Sequence, residues 1–325
     1  MSPRLLCCAL GALAVAAAGA AGRAAQAADN VVVPGTTDFP ESVYASANGT
    51  LFFSSFAGGR IFRAKPGETR ASEWIKQGSN GLDSATGVLA DDKSNTLYVC
   101  SDDLSAAGVA IPTGATPTAL KLFDLKTGAP KGSIALPGPA TFCGDIAVAA
   151  DGTAYVTDSL AGHILRLKPG AKELEIWAED PRWVVKGGAQ LDGIAILPDG
   201  AVYANIFEGD GLYRIAVNPD RGAGAITKLQ TSRPLYHSDG LRAFGPNKLL
   251  MVEGDTRGFL DLITINGDKA DIQTIKDGFK APVALTQVGD IVYVLDVPIK
   301  LLFGSRWWRK TPPPFTAFAI KAPQQ

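Results

Sequence analysis

The stretch Asp192-GIAILPDGAVYANIF decides the fold, because five other stretches of the chain repeat its plan. They are Glu41-SVYASANGTLFFSS, Thr86-GVLADDKSNTLYVCS, Asp145-IAVAADGTAYVTDS, Asp239-GLRAFGPNKLLMVEG and Val283-ALTQVGDIVYVLD. Each has a polar or small lead, a short apolar-rich run, a turn, and a second run built around Tyr, Phe or Leu-Met. The turns hold Asn48-Gly49, Asp151-Gly152 and Asp199-Gly200. These residues accept positive φ, so each unit reads as two antiparallel strands joined by a tight hairpin.

A third strand follows at Gly59-RIFRAK, Ala119-LKLFDL, Gly162-HILRLK and Gly211-LYRIAV. A fourth is expected at Glu173-LEIWAE, Ile226-TKLQT and Asp271-IQTIKD. The leads are 45, 59, 47, 47 and 44 residues apart, the length at which four-stranded propeller blades repeat. The long second interval is expected to hold an inserted surface loop near residues 105–117. Helical periodicity is nearly absent. The sequence therefore predicts an all-β, six-bladed β-propeller of four-stranded blades, preferred over five blades with a cap or a sandwich. Val31-Val32-Val33 precedes the first unit, and Phe315-TAFAIK ends the last. The N-terminal strand is expected to complete the final blade and close the ring.

Residues 1–27 read as a secretory signal: Arg4, then an apolar run from Leu5 to Ala21, then Ala25-Gln26-Ala27 as a small-residue cleavage pattern. The competing reading, a membrane anchor, needs about 20 apolar residues without a cleavage site. Residues 28–325 form the expected propeller domain, with no composition shift to mark a second one. Losing Arg4 and Arg23, with no acidic residue beside them, takes the formal charge from −1 to −3. That balance offers no basic footprint for nucleic acid. No membrane span is expected after cleavage, and the location is read as periplasmic or secreted. Cys7 and Cys8 go with the signal. Cys100 and Cys143 remain, either as one disulfide of an exported protein or as two semi-buried thiols.

In a propeller the first strand of each blade lines the central channel, so the leads meet at one mouth. Here they are Glu41, Thr86, Gly144-Asp145, Asp192, Asp239 and Val283. Converging carboxylates repel, and without a counter-charge at least one must hold a proton. A divalent cation removes the conflict, and an all-oxygen set favours calcium, with magnesium, manganese or zinc as alternatives. The bland reading is that an Asp before Gly bonds turn amides. His237, two residues before Asp239, is a candidate base or ligand at the mouth, or a loop histidine bonded to backbone. Asn205 and Glu253 end second strands near the same mouth and could bond a substrate, or simply end their strands in water. His163 reads as a packing or rim residue. Ser305-RWWRKTPPPF reads as packed Trp307 and Trp308 on the rim, or as a docking loop. No Gly-x-Ser-x-Gly elbow, phosphate loop or zinc spacing occurs.

At these residues the chain resembles the SMP-30/gluconolactonase/LRE family, over roughly Phe39 to Asp296. The resemblance lies in Phe39-Pro-Glu-Ser-Val, in Leu191-Asp-Gly-Ile-Ala-Ile-Leu-Pro-Asp-Gly and in the repeated unit. It implies a six-bladed propeller with one divalent metal in the channel and a lactone or related ester as the small-molecule substrate. Glu41 matches the family's first metal ligand and Asp192 matches the Asp of its Asp-Gly pair. The family's third ligand, an Asn, falls at Gly144, where Asp145 is the carboxylate that could take its place. The family's substrate-contacting Asn falls near Thr86. The expected assignment is metal at Glu41, Asp145 and Asp192, catalysis by Asp192 or Asp239, and substrate contacts at Thr86, Asn205, His237 and Glu253. The rival is a non-enzymatic periplasmic binding or scaffolding propeller, since the fold hosts many activities.

Overall fold

The computed structural model describes residues 29–111, 114–184, 190–254, 257–302 and 314–324. The expected signal segment and the Trp307-Trp308 segment lie outside the described residues. No described helix is long and apolar enough to cross a membrane.

Six antiparallel sheets follow one another along the chain, each with its first strand innermost. The innermost strands are Pro40–Ala45, Ser84–Asp91, Cys143–Val148, Leu191–Ile196, Ser238–Ala243 and Pro282–Val288. Five sheets have four strands. The fifth blade gains Gln230–Thr231, which pairs parallel to its outer strand Lys269–Lys276. The hairpins form where Asn-Gly and Asp-Gly stand, with Gly49, Gly152 and Gly200 at φ of 84°, 89° and 83°.

The ring closes as the sequence predicts. Val31–Val33 is the outermost strand of blade six, pairing with Phe315–Lys321 in the register Val31↔Ala317 to Val33↔Phe315. Its backbone also reaches blade one: Val32 N–H donates to Thr69 O and Val32 O accepts from Ala71 N–H, both at 2.9 Å.

The core is six clusters, one between each pair of neighbouring blades. Between blades one and two lie Phe52, Ile61, Leu82, Val88, Leu97 and Phe123. Between five and six lie Phe244, Leu250, Leu260, Leu285, Val292 and Val294. Strands covered on both faces read as runs of Val, Leu, Ile and Phe, and each such side chain contributes about 1.5–3 kcal/mol on burial.

The insertion of blade two is more than a surface loop. On either side of the one-turn 3₁₀ helix Ser105–Ala107, it buries Leu104 and Val109 in the cluster that joins blades six and one.

Candidate functional site

Every innermost strand shifts register just after its first or second residue: at Pro40/Val43, Ala85/Val88, Cys143/Ile146, Leu191/Ile194, Ser238/Leu241 and Pro282/Ala284. Such bulges re-aim side chains, and here they hold the lead residues. In blades two, four and five the glycine after the lead is squeezed against the next blade. A Cβ on Gly87 would lie 2.4 Å from Gly144 O, and one on Gly193 would lie 2.5 Å from Asp239 O. The Asp-Gly pairs are thus inter-blade contacts, with Asp turned to the channel and Gly admitting the neighbouring backbone.

This arrangement brings Glu41, Asp192 and Asp239 together from blades one, four and five, with one carboxylate oxygen of each within 4.8 Å of the others. They line a cavity of about 10 Å³, room for one water or one ion and no more. Glu41 Oε2 is buried there with no hydrogen-bond partner. Burial, then the Asp145 charge, pushes Asp192 up to about 7, against the pull of Arg242. Burial, then Asp192 and Asp145, raises Glu41 well above the carboxylate range. Asp239 is raised likewise by burial, Asp192 and Glu41.

Asp145 stands in the column that holds Gly87, Gly193 and Gly240 in sister blades, one residue past the lead. Its carboxylate accordingly reaches across blade four. Oδ2 accepts from Ile194 N–H at 3.3 Å and Oδ1 and Oδ2 are held by Arg242 at 3.2 and 2.5 Å. It is engaged by that guanidinium and lies outside the three-carboxylate group. Arg242 also lies over the Tyr44 ring, 5.3 Å from its centroid. The repeat pattern does not single out this counter-charge. Its signal is a lone Arg in Asp239-GLRAF where the matching strands carry Ala147 and Ala195.

The other candidates sit as follows. Thr86 Oγ1 donates to Cys143 O at 2.7 Å and lies 2.9 Å from Asp102 Oδ2, so it braces blade two against blade three. Burial lifts Asp102 to about 7, opposed by its bonds from Cys143 N–H and Thr86. Asn205 is fully buried and its Nδ2 donates to Asp239 O at 2.7 Å. Thr157 does the same for Asp192 O, also at 2.7 Å. Both hold the backbone of the next blade's carboxylate. Cys100 occupies the same column as Asn205 and Thr157, and there the link to the next blade is covalent: Cys100 and Cys143 form a disulfide. Glu253 is taken up by Arg233, at 2.9 and 3.2 Å, beside Asp261. His237 keeps a left-handed φ of 47°, stacks edge-on against Phe207 at 5.4 Å, and has a buried Nδ1 without a partner. His163 lies 3.7 Å from Glu179, on the third strand of blade three.

No family model matches the chain, and no curated protein does. Solved structures do. A putative gluconolactonase superposes with a TM-score of 0.61 at 14% identity, covering 93% of this chain and 96% of its own. A gluconolactonase from Xanthomonas campestris gives 0.57 at 16%, covering 81% and 84%. Virginiamycin B lyase from Staphylococcus aureus, in its inactive H270A form with quinupristin, gives 0.58 at 15%, covering 82% and 81%. The likeness is one of fold. Lactonases and a lyase share it, so the chemistry rests on this chain's own residues.

Proposed function

We propose that the protein is a hydrolase that opens a small lactone or related ester with the help of one divalent cation. The observation that carries this reading is the meeting of Glu41, Asp192 and Asp239 around an ion-sized cavity, with Glu41 Oε2 unpartnered. Three carboxylates, Asp239 buried and Glu41 and Asp192 partly so, beside an Asp145 already paired with Arg242, form a hard-oxygen set that suits a cation, calcium first. Such a cation, when bound, would supply positive charge to polarise an ester carbonyl.

The chain's own part is positional. Asn205 and Thr157 fix the backbones of Asp239 and Asp192, and the disulfide fixes blade three. The cavity is too small for an organic molecule, so the ester lies above it, at the mouth. Asp192 is the group proposed to take the proton of the attacking water. The water oxygen bonds to the acyl carbon, the ring C–O bond breaks, and the proton passes to the departing alkoxide, giving a hydroxy acid. Export through residues 1–27 to a periplasmic or secreted location belongs to the same proposal, and the Cys100–Cys143 disulfide supports it.

The rival, a propeller that holds a ligand without turning it over, is favoured by one feature: Gly144 offers no side chain where the related lactonases place an Asn. A lactone panel decides. Turnover that is lost in Asp192→Asn supports the hydrolase, whereas no turnover of any lactone by the cation-loaded protein leaves the binding reading.

A further inference from the structure

In each blade the loops joining second to third strands and fourth to next first strands share the face on which the lead residues lie. That face is covered on one side. Phe56, Leu104, Val109, Phe142, Val297 and Leu302, from the loops of blades six, one and two and the approach to blade three, pack into one apolar cluster with the closing strands. The insertion of blade two supplies two of these six.

Over blades three to five the same face carries exposed apolar side chains. Among the described residues four large apolar side chains are exposed: Leu160, Val184, Tyr236 and Ile176. The first three stand in mouth-side loops, and only Ile176 lies on an outer strand. The loops are joined to one another. Gln190 N–H donates to Ser159 O at 3.0 Å and its Nε2 to Leu160 O at 2.8 Å. Phe207 N–H donates to Gln190 O at 2.9 Å, and the Phe207 ring meets His237, whose neighbour is Tyr236. Leu160, Phe207, His237 and Tyr236 thus follow one another, loop by loop, along an arc on the side that the described residues leave uncovered.

Gln190 and His237 stand two residues before Asp192 and Asp239, one step above the carboxylates. Each has a buried polar atom without a partner, Gln190 Oε1 and His237 Nδ1. Among the charged neighbours, Asp210 accepts from Leu235 N–H, Asp180 is paired with Arg182, and Arg233 with Glu253 and Asp261, while Glu208 stands exposed at the end of the arc. An apolar shelf suits a molecule that is mostly hydrocarbon and has few hydrogen-bonding groups. It does not suit a polyhydroxylated ring, which would need many fixed polar partners.

Resting on the hydrolase reading above, we propose that the substrate is an amphiphilic lactone bearing an alkyl or aryl group. Its apolar part lies on the arc of Leu160, Phe207, Tyr236 and His237, and its ester faces Glu41, Asp192 and Asp239. Each methylene buried on the shelf raises kcat/KM about fourfold, until the arc is filled.

The test is a substrate series on the calcium-loaded mature protein: γ-butyrolactone, γ-hexalactone, γ-octalactone, γ-decalactone and glucono-δ-lactone. The expected result is a kcat/KM that climbs with chain length, with glucono-δ-lactone well below γ-octalactone. Leu160→Ser and Tyr236→Ser, both at exposed positions that threaten no core, flatten the climb, while Ile176→Ser keeps it. A flat series, or preference for glucono-δ-lactone, overturns the inference and leaves the hydrolase reading standing. Absence of turnover across the series removes both.

Discussion

Arg242 grips Asp145 with both terminal nitrogens, Nη1 to Oδ2 at 2.5 Å and Nη2 to Oδ1 at 3.2 Å, across 97 residues of sequence. The pair lies in the channel wall directly against the three remaining carboxylates. It sets the charge of the site: four acids and one fixed base leave three acids to be answered by a cation or by protons.

Removing one partner of a buried pair strands the other. Arg242→Met should cost about 3–5 kcal/mol in chemical denaturation. The double variant Arg242→Met/Asp145→Leu should recover most of that loss, because the stranded charge is gone. Equal instability of the single and double variants would show that the guanidinium's packing, not its charge, is what matters.

Asn205 tests the idea that second-strand side chains aim the next blade's carboxylate. Asn205→Ala leaves Asp239 O buried without its donor, at a cost of about 1–3 kcal/mol. It should also weaken cation binding, whereas Thr96→Val, far from the channel mouth, should not. Titration calorimetry on both variants separates aiming from stability.

The disulfide closes a loop with a sequence separation of 43 residues. By the loop-entropy relation, Cys100→Ala/Cys143→Ala should lower stability by about 4 kcal/mol. Denaturation of the double variant against the oxidised protein checks this.

Asp102 gives a pH signature. Its folded-state value is raised to about 7 by burial, so the folded protein holds a proton that the unfolded chain releases near pH 4. The stabilisation is therefore fully present below about pH 4 and is lost as pH rises toward 7. Asp102→Asn should flatten that part of the stability–pH curve, and at pH 8 should be at least as stable as the unaltered protein. An unchanged slope would place the proton elsewhere.

Much of the fold was legible because blades repeat. The six lead-plus-hairpin units, the fourth strands of blades three and five and the closing Val31–Val33 could be read from periodicity and turn chemistry, whereas the stretch from Ile226 divides between the outer strand of blade four, Ala223–Lys228, and Gln230–Thr231 of blade five. What stayed hidden depended on contacts between blades. Asp145 looked like a neighbour of the lead column, but the register shift after Cys143 put it in the glycine column and into the hands of Arg242. Thr86 looked exposed to substrate and instead braces Cys143. The pairing of Cys100 with Cys143 could not be chosen from spacing, since it follows from Cys100 occupying the place where Asn205 and Thr157 clasp the next blade. The insertion of blade two read as a surface loop, and only packing shows Leu104 and Val109 buried in the cluster that joins blades six and one.

The most direct measurement is divalent-ion content and affinity of the purified protein, at pH 6 and pH 8, with Glu41→Ala, Asp192→Ala and Asp239→Ala beside it. The account predicts one ion per chain, tighter at pH 8 because the ligands must shed their protons. It also predicts loss of that ion in all three variants, which still fold. An unaltered protein that binds no divalent ion at pH 8, or one whose ion survives all three substitutions, contradicts the account.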